Sequence, residues 1–533
     1  MNRIIARPAF HHHHQQHSKR VIAAAASNNT TRTTISCHHN NNTNNNTNNN
    51  PSMLLLRRSF HHLSASHPRS STFTTTTAER CATSAATATL PIHRRFSSSS
   101  STGASSSSSS STTSTSTTKT QLYFWGTDTG GSIWKNPHSQ DAKVFDVPFC
   151  VEDDLIRETF GSGADGIAQV VCGATDTAFL LENGQCFVMG QNKNGQLGVG
   201  HQNPVPTPVP LVLPDNPKIR QIELGPKFSA ATDEDGNLYT FGNGGTLTTM
   251  GWLGHGNAES QLRPKLVESL VEDQCRVQRV GVGEMHMTVL TTDGEVLTTG
   301  HGAYGKLGNL ESIDRLYLDT VAVLTPDAYH VSDIAVGKSF NLALTSTTTT
   351  AQETRGGKLF AWGKNSKGQL GSGMGLSVDT FAMQEYPEPV EGESDTLLHQ
   401  RIVKMAAGHS HAAAISDDGG RVYFWGMSLQ FDPTLVEELN GVTIVDVACG
   451  EDYTLALDER GALYSFGVAS SALLRGNSGV LGQGSSVKQL AQATLMEAFD
   501  PPTQTVRQIS AGWKHAACLV STTTTAAEEE KES

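Results

Sequence analysis

The chain has 533 residues and a formal charge of −12 at pH 7; 37% of its residues are hydrophobic, 17% are charged and 50 are glycine. The charge is divided, with +10 on residues 1–118 and −22 on the rest. That acidic bulk disfavours DNA and RNA, whose affinity comes largely from Lys and Arg on phosphates, unless one face is locally basic. No stretch approaches the roughly 20 apolar residues of a membrane-spanning helix, and no long 3.6-residue apolar stripe occurs, so helices should be few and short.

Residues 1–118 hold His-rich (His11 to His14), Asn-rich (Asn40 to Asn50) and Ser/Thr-rich (Ser97 to Thr118) tracts. Such tracts bury little apolar surface, and a disordered leader is expected. Its eleven Lys and Arg face a single acid, Glu79. An Arg-bearing, Ser-rich, acid-poor N-terminus reads as an organelle transit peptide, mitochondrial first and plastid second. The alternative is an extension without an address on a cytoplasmic or nuclear protein. Val21 to Ala26 and Leu54 to Leu56 are too short for a secretory signal.

From residue 119 a two-part phrase recurs. One part is a Gly followed by an apolar strand of small residues, beginning at Gly173, Gly225, Gly283, Gly337, Gly408, Gly450 and Gly512. The other is a strand closing at Gly126, Gly190, Gly242, Gly300, Gly363, Gly426 and Gly467, often followed by Gly-Gln-Leu-Gly. β-Branched runs such as Val277 to Val280, Ile334 to Val336 and Thr443 to Ala448 lead into the first part. Asn183-Gly184, Asp235-Gly236 and Asp293-Gly294 supply hairpin turns between the parts. A second part stands alone at the N-terminal end (Gln121 to Gly126), and a first part stands alone at the C-terminal end (Val506 to Val520). The orphans complete each other only if the chain closes into a ring, which also removes exposed sheet edges. The spacing varies between copies, and Met427 to Phe431 is too short for a full Gly-Gln-Leu-Gly loop. The acidic residues 522–533 are expected to be a disordered tail.

These residues resemble the regulator of chromosome condensation repeat family, with Gly408-His409-Ser410-His411 and Gln191-Asn192-Lys193-Asn194-Gly195-Gln196-Leu197-Gly198 as close copies. The resemblance covers residues 119–521 and implies an all-β, seven-bladed propeller whose first blade joins both ends. Where that family often has His, Asp176, Phe228, Phe340 and Tyr453 depart from it. The resemblance further implies one of three roles: nucleotide exchange on a small GTPase, organellar ribosome and RNA maturation, or plain protein interaction. In the first case one face would wedge into the GTPase, and the fourth repeat position supplies candidates for that face: Asp176, Phe228, His286, Phe340, His411, Tyr453 and His515. Structural packing near the channel is their other reading.

Apparent chemical motifs fall on copies of the repeat. Gly300 to Lys306 matches dinucleotide and phosphate-loop patterns, but Leu307-Gly308 follows where a helix is needed. Gly408 to Ala412 resembles a nucleophile elbow but opens a strand. Gly512-Trp513-Lys514-His515 resembles a motif in the ultraviolet-B-sensing branch of the same family, yet only one of six tryptophans sits in such a motif. Cys172, Cys449 and Cys518 read as small buried hydrophobes. No catalytic residues stand out, and neither cofactor nor metal is expected. The expected protein is a monomeric scaffold for protein partners, including basic ribosomal proteins, or alternatively an exchange factor for a small GTPase.

Overall fold

The computed structural model describes residues 117–524 apart from 347–356, 374–382, 392–395, 398, 470–476 and 502. The expected disordered leader, up to residue 116, and the expected tail, from residue 525, lie outside the described residues. The rest forms seven antiparallel four-stranded sheets. Blade 1 orders its strands Val144–Cys150, Thr117–Thr127, His515–Thr524 and Gln504–Ala511, so the first and last described strands lie side by side at its centre. Their pairing runs in unbroken register from Thr117↔Thr524 to Gly126↔His515, taking the propeller a few residues past the expected limits of 119 and 521.

Blades 2 to 7 are plain meanders. Blade 2 comprises Ile167–Cys172, Asp176–Leu181, Cys186–Gly190 and Val205–Leu211. Blades 3 to 7 begin at Ile219, Val277, Val331, Ile402 and Ile444 and repeat the pattern. First strands of successive blades touch one another around the whole ring, including across the blade 1 closure, so they line the central channel. Second strands are buried throughout, because they lie between two strands and two blades. The helices Asp153–Phe160 and Glu268–Glu272 are short, and the first tucks Ile156 and Phe160 into the blade 1–blade 2 core.

The glycine that closes each third strand is required by contact as well as by turn geometry. Gly363 has φ +109°, and a β-carbon there would lie 2.8 Å from Phe340 Cα. The freed space lets the next amide reach back to the turn before the second strand, as Lys364 N–H does to Ser339 O at 2.9 Å. The loop that follows locks onto the next blade. Leu370-Gly371 covers Trp425, whose indole donates to Gln369 O at 3.0 Å; Leu481-Gly482 covers Trp125, whose indole donates to Val480 O at 2.9 Å. Leu197-Gly198 covers Phe241, and Gly308 lies against Trp362. Repeat loops are thus interblade plugs.

Gly363→Ala should destabilise the protein by about 2–4 kcal/mol, since it combines a strained φ with a backbone clash. Gly419→Ala is the control: φ is +90° but nothing lies within 4 Å of the added carbon, and it should cost only about 1–2 kcal/mol. Denaturant midpoints of the two variants measure the difference.

Candidate functional site

All seven fourth-position residues begin second strands, and all are buried. None presents a side chain to a partner, so they do not form the expected contact face. They are brought into equivalent places around the ring, where all but Phe228 fold their side chains back over the Gly of their own turn. Gly283 lies under His286, Gly337 under Phe340, Gly408 under His411 and Gly450 under Tyr453.

Their chemistry is matched to the second residue of the next blade's second strand. His286 Nε2 donates to Asn341 Oδ1 at 3.0 Å, and His411 and His515 reach the hydroxyls of Thr454 and Thr177 at 3.1 and 2.8 Å. Thr177 donates its own proton to Ser132 O at 2.7 Å, so His515 supplies the proton between them. Where the family His is missing, the partner changes too. Phe228 shares a core with Met287, Phe340 with Ala412, and Tyr453 with Ala516. The Tyr453 hydroxyl also aims its one proton at the neighbouring carbonyls of Gly512 and His515, 3.0 and 2.9 Å away. At the remaining junction Asp176 and Ser229 are both fully buried, and Asp176 Oδ2 and Ser229 Oγ find no partner among the described residues.

Burial sets the ionisation of these groups. It pushes His286 and His411 down to about 3 and His515 down to about 4, leaving them neutral at pH 7. The same desolvation raises Asp176 to about 7. With no surface and no substrate access, these shifts are structural.

A different set of side chains gathers where the turns before the second strands and the loops after the third strands share one face. On this turn face Lys338 Nζ lies 3.0 Å from His409 Nε2 and 5.2 Å from the Trp513 ring, which meets His409 edge-on at 5.2 Å. Glu284 bridges Lys227 and Lys338 at 3.8 and 3.7 Å. Lys364 sits 4.7 Å from the ring of exposed Tyr304, and Lys514 pairs with Glu451. Lys306 occupies the position of Gln196 and Gln369 in the repeat; it is buried beside His301 at 3.2 Å, and its amine is lowered to about 8 by desolvation. Burial, then Lys338, Lys514, Lys364 and Lys367, lowers His409 to about 4. The cluster therefore joins six lysines, two histidines and the aromatics Trp513 and Tyr304 to the carboxylates Glu284, Asp314, Glu451 and Asp452. Sequence reasoning missed it, because it found no run of basic residues; the six lysines are scattered over four blades, with three of them in blade 5.

The opposite face, made of hairpins and interblade connectors, is acidic: Asp153, Asp154, Glu234, Asp235, Glu268, Glu272, Asp417, Asp418, Glu437 and Glu438 lie there. The other motifs resolve as repeat geometry. Gly300 to Lys306 forms a turn with Tyr304 at φ +66°, not the start of a helix. Gly408 leads directly into the strand His411–Ser416. Trp125, Trp134, Trp252, Trp362 and Trp425 are buried, leaving Trp513 as the tryptophan at the channel mouth. Cys172, Cys449 and Cys518 are buried.

The fold and its interior define a closed seven-bladed propeller built from Gly-x-x-His-type repeats. Residues 121–518 match the RCC1-like domain, and the chain belongs to that family. It is 30% identical over 339 residues to the X-linked retinitis pigmentosa GTPase regulator homolog of Caenorhabditis elegans, a match covering 56% of this chain and 23% of that relative's length. It is 27% identical over 349 residues to the ultraviolet-B receptor UVR8 of Arabidopsis thaliana, covering 63% of this chain and 71% of the receptor. The structure of Prp20p from Saccharomyces cerevisiae superposes with a TM-score of 0.61 at 20% identity, over 78% of this chain and 94% of that one, a likeness of fold. An RCC1-like propeller supports a protein-interaction or nucleotide-exchange role.

Thr454→Ala should cost about 1–3 kcal/mol by orphaning buried His411. Adding His411→Phe recreates the Phe340–Ala412 junction and should recover most of that loss in a double-mutant cycle. The histidines titrate near 6.5 when unfolded and near 3–4 when folded, so their contribution is complete above pH 6.5 and is lost as the pH falls toward 4. Asp176 runs the other way, because its raised carboxyl favours the fold increasingly as the pH falls from 7 toward 4. The double variant should therefore lose about 1.4 kcal/mol per pH unit of acid sensitivity between pH 6 and 4, read from urea melts.

Proposed function

We propose that this chain is a protein-binding propeller with no catalytic machinery of its own, which works in an organelle and engages partners through its turn face. The lysine–aromatic cluster at the channel mouth carries the reading. It combines directional cation and ring contacts with partly exposed Trp513 and Tyr304, a composition typical of interface anchors. Four carboxylates interleave the lysines and the chain as a whole is acidic, which favours a structured protein surface over a phosphate backbone. The acidic hairpin face suits basic partners, and ribosomal proteins have that chemistry. Two faces of different charge fit a scaffold in ribosome or RNA maturation. The arginine-bearing, acid-poor leader supports the mitochondrion as the address.

Two experiments test this. Residues 1–118 fused to a fluorescent reporter should enter mitochondria; a cytosolic reporter would remove the organellar part. Full-length protein purified from organelles should capture partners that K338E/K364E/K514E loses at least about tenfold, with thermal melts unchanged. Equal capture by the variant, or capture abolished by nuclease, would overturn the turn-face reading.

A second reading is nucleotide exchange on a small GTPase. It is favoured by the relative named a GTPase regulator homolog and by Prp20p, whose structure was described together with binding to Gsp1p and histones. Exchange predicts faster release of labelled GDP from organellar or nuclear small GTPases in the presence of the full chain. Unchanged release across that panel would dismiss it.

A further inference from the structure

Blade 6 lacks the plug that its counterparts carry. Its third and fourth strands, Val422–Gly426 and Gln430–Leu435, are joined by Met427, Ser428 and Leu429 alone, with Met427 and Ser428 at φ +56° and +60°. The turn leans toward blade 5, where Ser428 N–H donates to Lys367 O at 2.8 Å. No leucine-glycine pair therefore reaches Phe466, the blade 7 equivalent of Trp425, Trp362, Phe241 and Trp125.

The fold partly compensates. Phe424 stands where blades 3, 4 and 7 have Thr240, Thr298 and Ser465, the hydroxyls that hold their loops by donating to Leu253, Leu307 and Leu481 carbonyls at 2.8, 2.7 and 2.8 Å. The Phe424 ring fills part of the gap and meets Phe466 edge-on at 5.7 Å. A cavity of about 410 Å³ remains, with Phe424, Met427, Leu429, Val436 and Phe466 in its wall. Leu429 is 59% exposed. Exposed Glu437 and Glu438 also line it and make no ion pair with the described residues.

We propose that this socket between blades 6 and 7 docks a segment of a partner protein: a tight turn with a leucine-like anchor and a neighbouring Lys or Arg. The anchor is specified by the propeller itself, which fills the equivalent sockets with Leu197, Leu370 and Leu481. The basic neighbour is specified by the two carboxylates at the rim. None of its lining residues belongs to the lysine–aromatic cluster, so it stands or falls independently of that reading.

The chain supplies a probe. A fluorescein-labelled peptide of residues 363–373, Gly-Lys-Asn-Ser-Lys-Gly-Gln-Leu-Gly-Ser-Gly, carries the plug leucine and two lysines. Added to the full chain, it should give saturable fluorescence anisotropy that weakens with salt. Leu→Ala at the peptide position of Leu370 should weaken binding at least about tenfold. E437K/E438K and Leu429→Asp, both surface changes, should each weaken it severalfold without altering the melt, while K338E/K364E/K514E should not. Grafting residues 364–373 in place of 427–429 should abolish binding and raise the melting temperature. Absence of saturable binding to 1 mM peptide, or equal binding by the E437K/E438K and Leu429→Asp variants, would overturn the proposal.

Discussion

A ring of seven small sheets is only as stable as its junctions, and here each junction turns on one residue at the head of a second strand. That residue is buried between its own turn glycine and the following blade. Its chemistry is answered across the gap by hydroxyl or amide where it is His, and by an apolar residue where it is Phe or Tyr. Buried polar groups must be satisfied or replaced on both sides, and replacing both is far cheaper than replacing one. Departures from the histidine pattern are thus tolerated in pairs. At the junction of Asp176 with Ser229 neither side answers the other: Asp176 Oδ2 and Ser229 Oγ lack partners among the described residues, as do the inner Nδ1 atoms of His286, His411 and His515, and burial raises the Asp176 carboxyl.

Because closure consumes these residues, recognition falls to what the ring holds outward. The turn face carries lysines and aromatic rings near the channel, while the hairpin face carries most of the acid. Charges far apart in sequence become neighbours: Lys338 of blade 5, His409 of blade 6 and Trp513 of blade 1 meet across the channel mouth. Their mutual contacts hold long side chains in place, which reduces the entropy lost when a partner binds.

Much of this was legible in the sequence. Periodic glycines and the two orphan half-repeats led to seven blades and to the closure through blade 1, because a repeat is constrained by its own copies. The fourth-position residues were legible as a series, but their burial was not, since the partner of each lies in the next blade: 43 and 55 residues away for His411 and His286, and 338 for His515 across the closure. The lysine cluster left no local run to notice. One signal could have exposed it: Lys306 replaces the Gln of the repeat loop in a position the fold buries. The short segment Met427 to Phe431 was visible as a departure, but its consequence at Phe466 appears only once the other loops are seen as plugs.

Whether the turn face is the recognition surface can be read by hydroxyl-radical footprinting of the full chain, alone and bound to a captured partner. Trp513 and Tyr304 should lose labelling in the complex, while Tyr317, exposed on the outer strand of blade 4, labels as before. Unchanged labelling of Trp513 and Tyr304, with protection on the hairpin face instead, would contradict recognition by the turn face.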